Sequence, residues 1–560
     1  MNIFKKKYKN YEIEPDEIFL DSKNIPQFDT NQFEGRIEKP IKKTSLIFLG
    51  VSFLMIGILF FLKLSSLQII NGDNFLKKSE DNSLNTEPLF ADRGLIKDRN
   101  GVLLAWNTFV QGNDFPDRSY INDLGFAHIV GYVSYPAKDQ KGIYWKKEFV
   151  GKDGVEKKYD VQLQGKNGVK IFETDVRGNI QSENIIDPPV QGQSLLLSID
   201  SNMQKKMYQS ISSLAKDGGF VGGAGIVMDI NNGEVLTMTS YPEYSAEILS
   251  KGDNKIVINE YINSKSKVLL NRAVGGLYVP GSIIKPFVAI GALNEGVINS
   301  TKKILSTGSI SLPNPYFPEQ KTIFKDWKAH GWTDMREALA VSSDVYFYEI
   351  GGGFQNQKGL GISNIEKYTR MFGIGEKTNI DIFGELRGTI PSPEWKSLIF
   401  KGDAWRVGDT YHTAIGQYGF QTTPVQMVRA VSAIASDGIL VTPHILLGDT
   451  ENEKSVEIPS MPIEYFEVVK EGMRMAVTEG TTTLMNLPYA HAAAKSGTAQ
   501  TGINNERHHS WIIGFFPYEN PKYAFAVMME SAPKASTLGA TRVIKELLEW
   551  ANTYAPEYTK

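Results

Sequence analysis

Residues 278–287 read Tyr278-Val279-Pro280-Gly281-Ser282-Ile283-Ile284-Lys285-Pro286-Phe287 and place a serine three positions before a lysine. On a helix this spacing puts both side chains on one face. Pro286 fits only if the helix begins at about Ser282, because a proline further in would remove a hydrogen bond and clash with the preceding turn. Ser282 would then stand at the amino end, where unpaired N–H groups and the helix dipole favour developing negative charge.

This spacing predicts a nucleophile and its base. A serine hydroxyl is a weak nucleophile until a neighbouring base removes its proton, and a desolvated, neutral Lys285 can do this for Ser282. The same spacing also occurs at three other places, Ser213/Lys216, Ser264/Lys267 and Ser300/Lys303. The tetrad alone therefore does not establish catalysis.

The composition limits the possible classes of function. The chain has 560 residues, 41% hydrophobic and 22% charged, which is ordinary for two or three globular domains. A formal net charge of −3 gives no basic field, so nucleic acid is not an expected partner. The absence of cysteine excludes disulfides, thiol catalysis and cysteine-ligated metals. The histidines form no His-Glu-x-x-His pattern, and we interpret His508-His509 as structural, so neither a metal nor a cofactor is expected.

An apolar run near the amino end predicts a membrane anchor. Residues 46–62 read LIFLGVSFLMIGILFFL, without a charge, and flanking polar residues extend the run towards bilayer thickness. We predict a tail over residues 1–43 and one transmembrane helix over residues 44–64. A cleaved signal peptide is the alternative, but the leader would be too long and no Ala-x-Ala site follows. Two clusters of basic residues before the run place the tail in the cytoplasm and the remainder outside. They are Lys5, Lys6, Lys7 and Lys9 near the start, and Arg36, Lys39, Lys42 and Lys43 next to the run.

The rest of the chain divides into two predicted domains. Residues 65–194 are polar and rich in turns, including Asn100-Gly101, and we predict a mostly β pedestal. Residues 195–560 carry strand and helix signals, which predict an α/β (α+β) domain with an antiparallel sheet and helices around it. The signals are a hairpin at 225–239, strands at 511–516 and 523–529, and helices from about Asp200, Pro424 and Thr541.

Two further motifs strengthen the interpretation of Ser282 as a catalytic residue. Ser342-Ser343-Asp344 and Lys495-Ser496-Gly497 follow it, and the order Ser-x-x-Lys, Ser-x-Asp/Asn, Lys-Ser/Thr-Gly is the set of penicillin-binding proteins and serine β-lactamases. Ser342 can pass a proton between Lys285 and a leaving amine, because a hydroxyl both donates and accepts.

The third motif predicts a site for a substrate carboxylate. Lys495, placed on an edge strand, can attract a terminal carboxylate with help from the hydroxyls of Ser496 and Thr498. Gly497 allows close approach of the substrate. The positive charge of Lys495 should favour the neutral form of Lys285, whereas an ionised Asp344 acts in the opposite direction.

The chain resembles the class B penicillin-binding proteins, the monofunctional D,D-transpeptidases that cross-link peptidoglycan. Besides the motifs, the resemblance rests on RGLIKDRNGVLLAWN at 93–107, NRAVGGLYVPGSIIKPF at 271–287, GIGEKTNIDIFGE at 373–385, IGQYGFQTTPVQM at 415–427 and WIIGFFPYENPKYAFAV at 511–527. Asp344, where division-type members carry asparagine, and the sequence Lys-Ser-Gly-Thr-Ala-Gln are similar to the elongation, or rod-shape, type.

The resemblance implies roles for individual residues. Ser282 is the acylated nucleophile, Lys285 the base, and Ser342 and Asp344 the second motif. The third motif is formed by Lys495, Ser496, Gly497 and Thr498, and the backbone N–H groups of Ser282 and Thr498 form the oxyanion hole. The implied ligands are stem peptides ending in D-Ala-D-Ala and β-lactams. The implied partner is a polytopic glycosyltransferase of the SEDS type, which contacts the membrane helix and pedestal.

Other functions share these motifs. A membrane-anchored β-lactamase or β-lactam sensor would carry all three, although the pedestal and anchor argue against it. An inactive scaffold for wall synthesis is opposed by the intact Ser282, Lys285 and Lys495. A bifunctional enzyme would need a glycosyltransferase domain before Ser194, where there is too little room. The residues do not distinguish cross-linking from carboxypeptidase trimming, and the family resemblance favours cross-linking.

Overall fold

The computed structural model describes residues 43–73, 84–140, 142–174, 180–314, 316–317, 319–448, 454–459 and 461–559. The chain divides into two compact units, Met1–Asn85 with Glu173–Gln181, and Thr86–Phe172 with Ser182–Lys560. The predicted tail, apart from Lys43, lies outside the described residues.

The first helix has the properties of a membrane span. Helix α1 (Lys43–Ser65) has 23 residues, none of them buried, and a π-helical turn, Ser66–Ile70, continues it. At 1.5 Å per residue α1 is about 34 Å long, enough for a hydrocarbon core of about 30 Å. Mean hydropathy reaches 2.6 within Lys43–Ile70. A helix of this length with this much exposed apolar surface is consistent with the predicted membrane anchor.

The pedestal is built mostly of short strands, as predicted. Its elements in chain order are β1 (Leu84–Leu89), β2 (Ile96–Lys97), β3 (Leu103–Thr108), β4 (Asp117–Tyr120), α2 (Ala127–Val130), β5 (Val133–Ser134), β6 (Ala137–Lys138), β7 (Tyr144–Lys146), β8 (Val150–Gly151), α3 (Gly154–Lys158), α4 (Asp160–Gln164), β9 (Gly168–Thr174) and β10 (Ile180–Asp187). The first strand of the next domain, β11 (Leu195–Leu196), pairs with β2 of the pedestal. One sheet has the order β11-β2-β3-β4, another β1-β9-β10. The β2–β3 hairpin contains the predicted Asn-Gly turn, and Gly101 there has a φ of 86°.

A buried ion cluster holds the pedestal together. The carboxylate of Glu156, on α3, accepts hydrogen bonds from Arg93 Nε at 2.6 Å and Arg118 Nε at 2.7 Å. All three side chains are almost completely buried. Because a buried charge is tolerated only when it is paired, this cluster fixes α3 against β4 and the residues before β2.

The second domain combines one central sheet with many helices. Its helices are α5 (Ser201–Gly218), α6 (Ala246–Lys251), α7 (Lys255–Ile262), α8 (Arg272–Gly275), α9 (Lys285–Asn294), α10 (Met335–Ala340), α11 (Asp344–Gly352), α12 (Ile362–Met371), α13 (Pro393–Ile399), α14 (Val407–Ala414), α15 (Pro424–Ala435), α16 (Ile463–Thr478) and α17 (Thr541–Tyr554). Its strands are β12 (Gly222–Asp229), β13 (Val235–Tyr241), β14 (Ile304–Ser306), β15 (Ser309–Pro313), β16 (Lys321–Lys325), β17 (Gly331–Thr333), β18 (Ile439–Val441), β19 (Ser455–Glu457), β20 (Ala493–Thr501), β21 (Arg507–Phe516) and β22 (Tyr523–Pro533).

The central sheet is antiparallel and has the order β13-β12-β22-β21-β20. The predicted hairpins are present as β12–β13 and β21–β22, and the strand that carries Lys495 lies at an edge. Helices pack around the sheet, and every residue of α15 is buried. Asp200 caps α5, as predicted, by accepting hydrogen bonds from the N–H groups of Asn202 and Met203 at 3.0 Å. The predicted fold class is therefore confirmed.

Candidate active site

The first motif begins with a tight turn. Gly281–Ile284 form a 3-10 turn in which the N–H of Lys285 donates to the carbonyl of Ser282, and α9 starts only at Lys285. The sequence predicted a helix from about Ser282. Pro286 then lies in the first turn of α9, where its missing N–H costs no intrahelical bond. Ser282 is half-buried, and the lysine one turn later is fully buried.

Lys285 points its ammonium at the second motif. Its Nζ donates to Asp344 Oδ1 at 2.7 Å, to the Ser342 carbonyl at 2.9 Å and to Ser342 Oγ at 3.3 Å. The ring of Phe347, on α11, has its centroid 5.4 Å from Nζ. These groups satisfy a charge that is completely removed from water, and they fix α9 against the start of α11.

Ser342 occupies a strained position between α10 and α11. Its φ is 58°, in the left-handed region that serine seldom adopts. The Ser342 hydroxyl faces both lysines of the site. Besides Lys285, Lys495 Nζ also donates a hydrogen bond to Ser342 Oγ, at 2.9 Å. One hydroxyl therefore accepts from two lysines and keeps its own proton available for donation.

Lys495 lies on β20 and is fully buried. Its Nζ makes a second hydrogen bond at 2.9 Å, to the carbonyl of Ser496. Burial, and then the positive charge of Lys285, hold the pKa of Lys495 well below its usual value, although the nearby carboxylate of Asp344 acts in the opposite direction. An anion that reaches Lys495 would therefore stabilise its protonated form.

The third motif packs directly against the turn that carries Ser282. A Cβ at Gly497 would lie 2.8 Å from the Pro280 carbonyl oxygen, so a side chain does not fit there. Gly281 has a φ of 61°, and its Cβ position lies 3.0 Å from the Thr498 carbonyl oxygen. The two backbones thus run side by side, and the predicted oxyanion hole of Ser282 and Thr498 N–H groups remains a prediction.

Two residues of the site carried no motif signal. The hydroxyl of Thr481 accepts from Ser496 Oγ at 2.9 Å, while its N–H donates to the carbonyl of Ala340, two residues before Ser342. The buried carboxylate of Asp326 accepts from Ser343 Oγ at 2.9 Å. The two side-chain contacts join residues 15 and 17 positions apart, and the Thr481–Ala340 bond joins much more distant ones, so these contacts depend on the tertiary fold.

Two family descriptions match the sequence. The penicillin binding protein transpeptidase domain matches residues 223–549, and the penicillin-binding protein dimerisation domain matches residues 110–197. The first match covers more than half of the chain. The chain belongs to the penicillin-binding protein transpeptidase family.

Relatives of this penicillin-binding protein match most of its length. Peptidoglycan D,D-transpeptidase MrdA of Haemophilus influenzae is 28% identical, over 93% of this chain and 93% of that protein. MrdA of Salmonella typhimurium is 30% identical, over 78% of this chain and 73% of its own length.

Solved structures of penicillin-binding proteins are also similar to this chain. PBP2 of Pseudomonas aeruginosa in complex with WCK 5153 is 29% identical, with a TM-score of 0.70 over 85% of this chain and 98% of that one. PBP2 of Helicobacter pylori in complex with MreC is 27% identical, with a TM-score of 0.69 over 84% of this chain and 99% of that one. The resemblance to an elongation-type penicillin-binding protein is confirmed.

Proposed function

We propose that this penicillin-binding protein is the peptidoglycan D,D-transpeptidase of cell elongation and that it forms its acyl-enzyme on Ser282. The observation that carries the residue roles is the shared hydroxyl of Ser342, which lies within hydrogen-bond distance of both Lys285 and Lys495. A proton can move between the three groups without water. Acyl transfer from a peptide needs such a relay, because a proton must leave the nucleophile and reach the leaving amine.

Substrate binding prepares the base. In the free protein Lys285 is paired with Asp344, and Lys495 holds its proton weakly. The terminal carboxylate of a D-Ala-D-Ala stem peptide, bound near Lys495 with help from Ser496 and Thr498, raises the pKa of Lys495. A proton then passes from Lys285 through the Ser342 hydroxyl to Lys495, which leaves Lys285 neutral.

Acylation follows from the neutral lysine. Ser282 Oγ attacks the carbonyl of the penultimate D-Ala while its proton moves to Lys285 Nζ, and the N–H groups of Ser282 and Thr498 stabilise the oxyanion. The C–N bond then breaks, and the terminal D-Ala amine takes a proton from Lys285 through Ser342. An acceptor amine then attacks the ester carbonyl while its proton passes through Ser342 to Lys285. The new C–N bond forms, the C–O bond to Ser282 breaks, and Ser282 Oγ takes the proton from Lys285.

The anchor and the pedestal support a place in a larger assembly. The basic residues before α1 put the tail, residues 1–43, in the cytoplasm and the catalytic domain outside. A SEDS-type polytopic glycosyltransferase would contact α1 and the pedestal. The solved complex of Helicobacter pylori PBP2 with MreC supports a protein like MreC as a separate, second partner. The domain limits we propose are 44–64, 65–194 and 195–560.

A long-lived penicillin adduct on Ser282 tests this function. Penicillin opens on Ser282 and stays attached, because a transpeptidase keeps water from the acyl-enzyme until an amine arrives. Intact-mass measurement over hours, followed by peptide mapping, should show a stable adduct in the wild type and none in Ser282→Ala. Rapid return to the unmodified mass with penicillin turnover would favour a β-lactamase, and absence of an adduct would favour a scaffold.

A further inference from the structure

Asp326, which belongs to none of the three motifs, binds the second motif directly. Its side chain is completely buried. One carboxylate oxygen, Oδ2, accepts from Ser343 Oγ at 2.9 Å, from the N–H of Val345 at 3.0 Å and from Ser306 Oγ at 3.2 Å. Two of these donors flank Asp344, the partner of Lys285.

The other oxygen of Asp326 is also occupied. Oδ1 accepts from the N–H of Trp327 at 2.8 Å and lies 3.4 Å from His330 Nε2. Burial opposes ionisation, but hydrogen bonds from Val345 and Ser343 and the charge of Lys285 hold the pKa of Asp326 below its usual value. Asp326 is therefore an ionised acceptor with strong, charge-assisted hydrogen bonds.

The second motif needs such support. The backbone of Ser342 has a left-handed conformation, and a non-glycine residue keeps this conformation only where several surrounding contacts hold the backbone in place. The next residue, Ser343, caps α11 by accepting from the N–H of Tyr346. Asp326 binds the hydroxyl of this cap and the N–H of Val345, so it fixes both the cap and the first turn of α11.

We propose that Asp326 is a positioning residue for acylation: it holds Ser343 and Val345 so that the Ser342 hydroxyl and the Asp344 carboxylate stay aimed at Lys285. This proposal rests on the proposed function. Asp326 acts through the second motif and does not itself touch the substrate. Its contribution is to keep the proton relay within hydrogen-bond distance, where a misplacement of about 1 Å can cost roughly 100-fold in rate.

The test compares Asp326→Ala with Asp334→Ala in the full-length protein. Asp334 is a matched control, because its carboxylate also accepts from an N–H at a helix start, that of Glu337 at 3.0 Å on α10. Stopped-flow labelling with a fluorescent penicillin separates the binding constant from the acylation rate constant. We expect Asp326→Ala to lower the rate constant roughly 100-fold with little change in binding. Asp334→Ala should lower the melting temperature but leave the rate per folded molecule near that of the wild type.

A double-mutant cycle tests whether Asp326 affects the acylation rate through Ser343. Ser343→Ala removes the hydroxyl that joins Asp326 to the cap of α11. If both residues act through one network, the losses of Asp326→Ala and Ser343→Ala in acylation rate are not additive in the double variant. Ser343→Ala also serves if Asp326→Ala does not fold, and it should then show the same split between rate and binding.

The outcomes are distinct. A wild-type acylation rate in folded Asp326→Ala, a loss confined to the binding constant, or an equal loss in Asp334→Ala would each overturn the positioning role. Additive losses in the double variant would do the same. Failure of the wild type to form an adduct on Ser282 would instead overturn the proposed function, so the two hypotheses fail on different measurements.

Discussion

At the scale of single residues, the Ser342 hydroxyl is the link between the two lysines. Replacing it by Ala removes the acceptor for Lys285 and Lys495 and interrupts the proposed relay. General acid–base steps contribute about 100-fold to 10,000-fold, so Ser342→Ala should slow acylation by penicillin at least roughly 100-fold. Fluorescent labelling over time measures this loss.

Ser531→Ala is the matched control for Ser342→Ala. Ser531 is also a left-handed serine, with a φ of 54°, and its Oγ accepts from Arg507 on β21. This variant should acylate at close to the wild-type rate. An equal loss in both variants would attribute the effect to backbone strain rather than to the relay.

The lowered pKa of Lys495 gives a prediction about substrates. In the proposed mechanism, the terminal carboxylate of the donor peptide favours proton transfer from Lys285 to Lys495 and so makes Lys285 neutral. A donor peptide whose terminal carboxylate is converted to an amide cannot favour this transfer. Its acylation of Ser282 should be slower at neutral pH, and the acid limb of its pH–rate profile should lie at higher pH. Matched acid and amide donors, compared between about pH 6 and 10, give the two profiles. Coincident profiles would contradict this role of Lys495.

The sequence predicted which residues meet but not every contact that holds them. Ser282, Lys285, Ser342 and Lys495 belong to spaced motifs, and the structure brings the last three into direct hydrogen bonds. Asp326, Thr481 and the left-handed backbone at Ser342 have no local signal, because they depend on tertiary approach between distant segments.

At the scale of secondary-structure elements, hairpins and caps were predictable because their causes are local. Asn231-Asn232-Gly233 joins β12 and β13, and Asp200 caps α5. Helical geometry begins at Gly281, close to the predicted start at Ser282, but the first turn is 3-10 rather than α, because Gly281–Ile284 pack closely against β20. Local propensity does not report that packing.

The ion cluster of the pedestal permits a prediction of stability. Glu156→Gln removes the carboxylate that pairs with the buried Arg118 and one of the two that pair with Arg93, which keeps Asp160 at 2.7 Å. Loss of the counter-charge of Arg118 should cost about 3–5 kcal/mol of unfolding free energy. Urea denaturation measures this loss. Glu183→Gln is the control, because it breaks an exposed pair with Lys170 and should cost at most about 1 kcal/mol.

The pH dependence of that stability has a defined sign. Burial opposes ionisation of Glu156, but Arg118 and Arg93 outweigh it and hold its pKa below the usual value. The stabilisation is therefore complete above the unfolded-state pKa of about 4.3 and is lost as the pH falls through the folded-state pKa. The difference between wild type and Glu156→Gln should narrow in acid, and a constant difference would argue against the charge as its cause.

At the scale of the whole molecule, the anchor and the folded domains differ in where their apolar residues lie. The apolar surface of α1 is exposed and suits a lipid environment, whereas residues of the pedestal and of the domain with the central sheet share one buried apolar core. The pedestal lies between α1 and that domain in sequence.

The orientation across the membrane is the last prediction, and it rests on charge. Nine lysine and arginine residues precede the apolar run, and four of them, Arg36, Lys39, Lys42 and Lys43, lie close to its start at Leu46. Positive charge within about 15–20 residues of a span favours the cytoplasmic side, so the tail should be inside and residues 65–560 outside. Protease added to intact spheroplasts should degrade the large domain, while a tag on the amino terminus survives until the membrane is permeabilised. Degradation of the tag in intact spheroplasts, with survival of the large domain, would reverse the orientation and separate the site from its extracytoplasmic substrate.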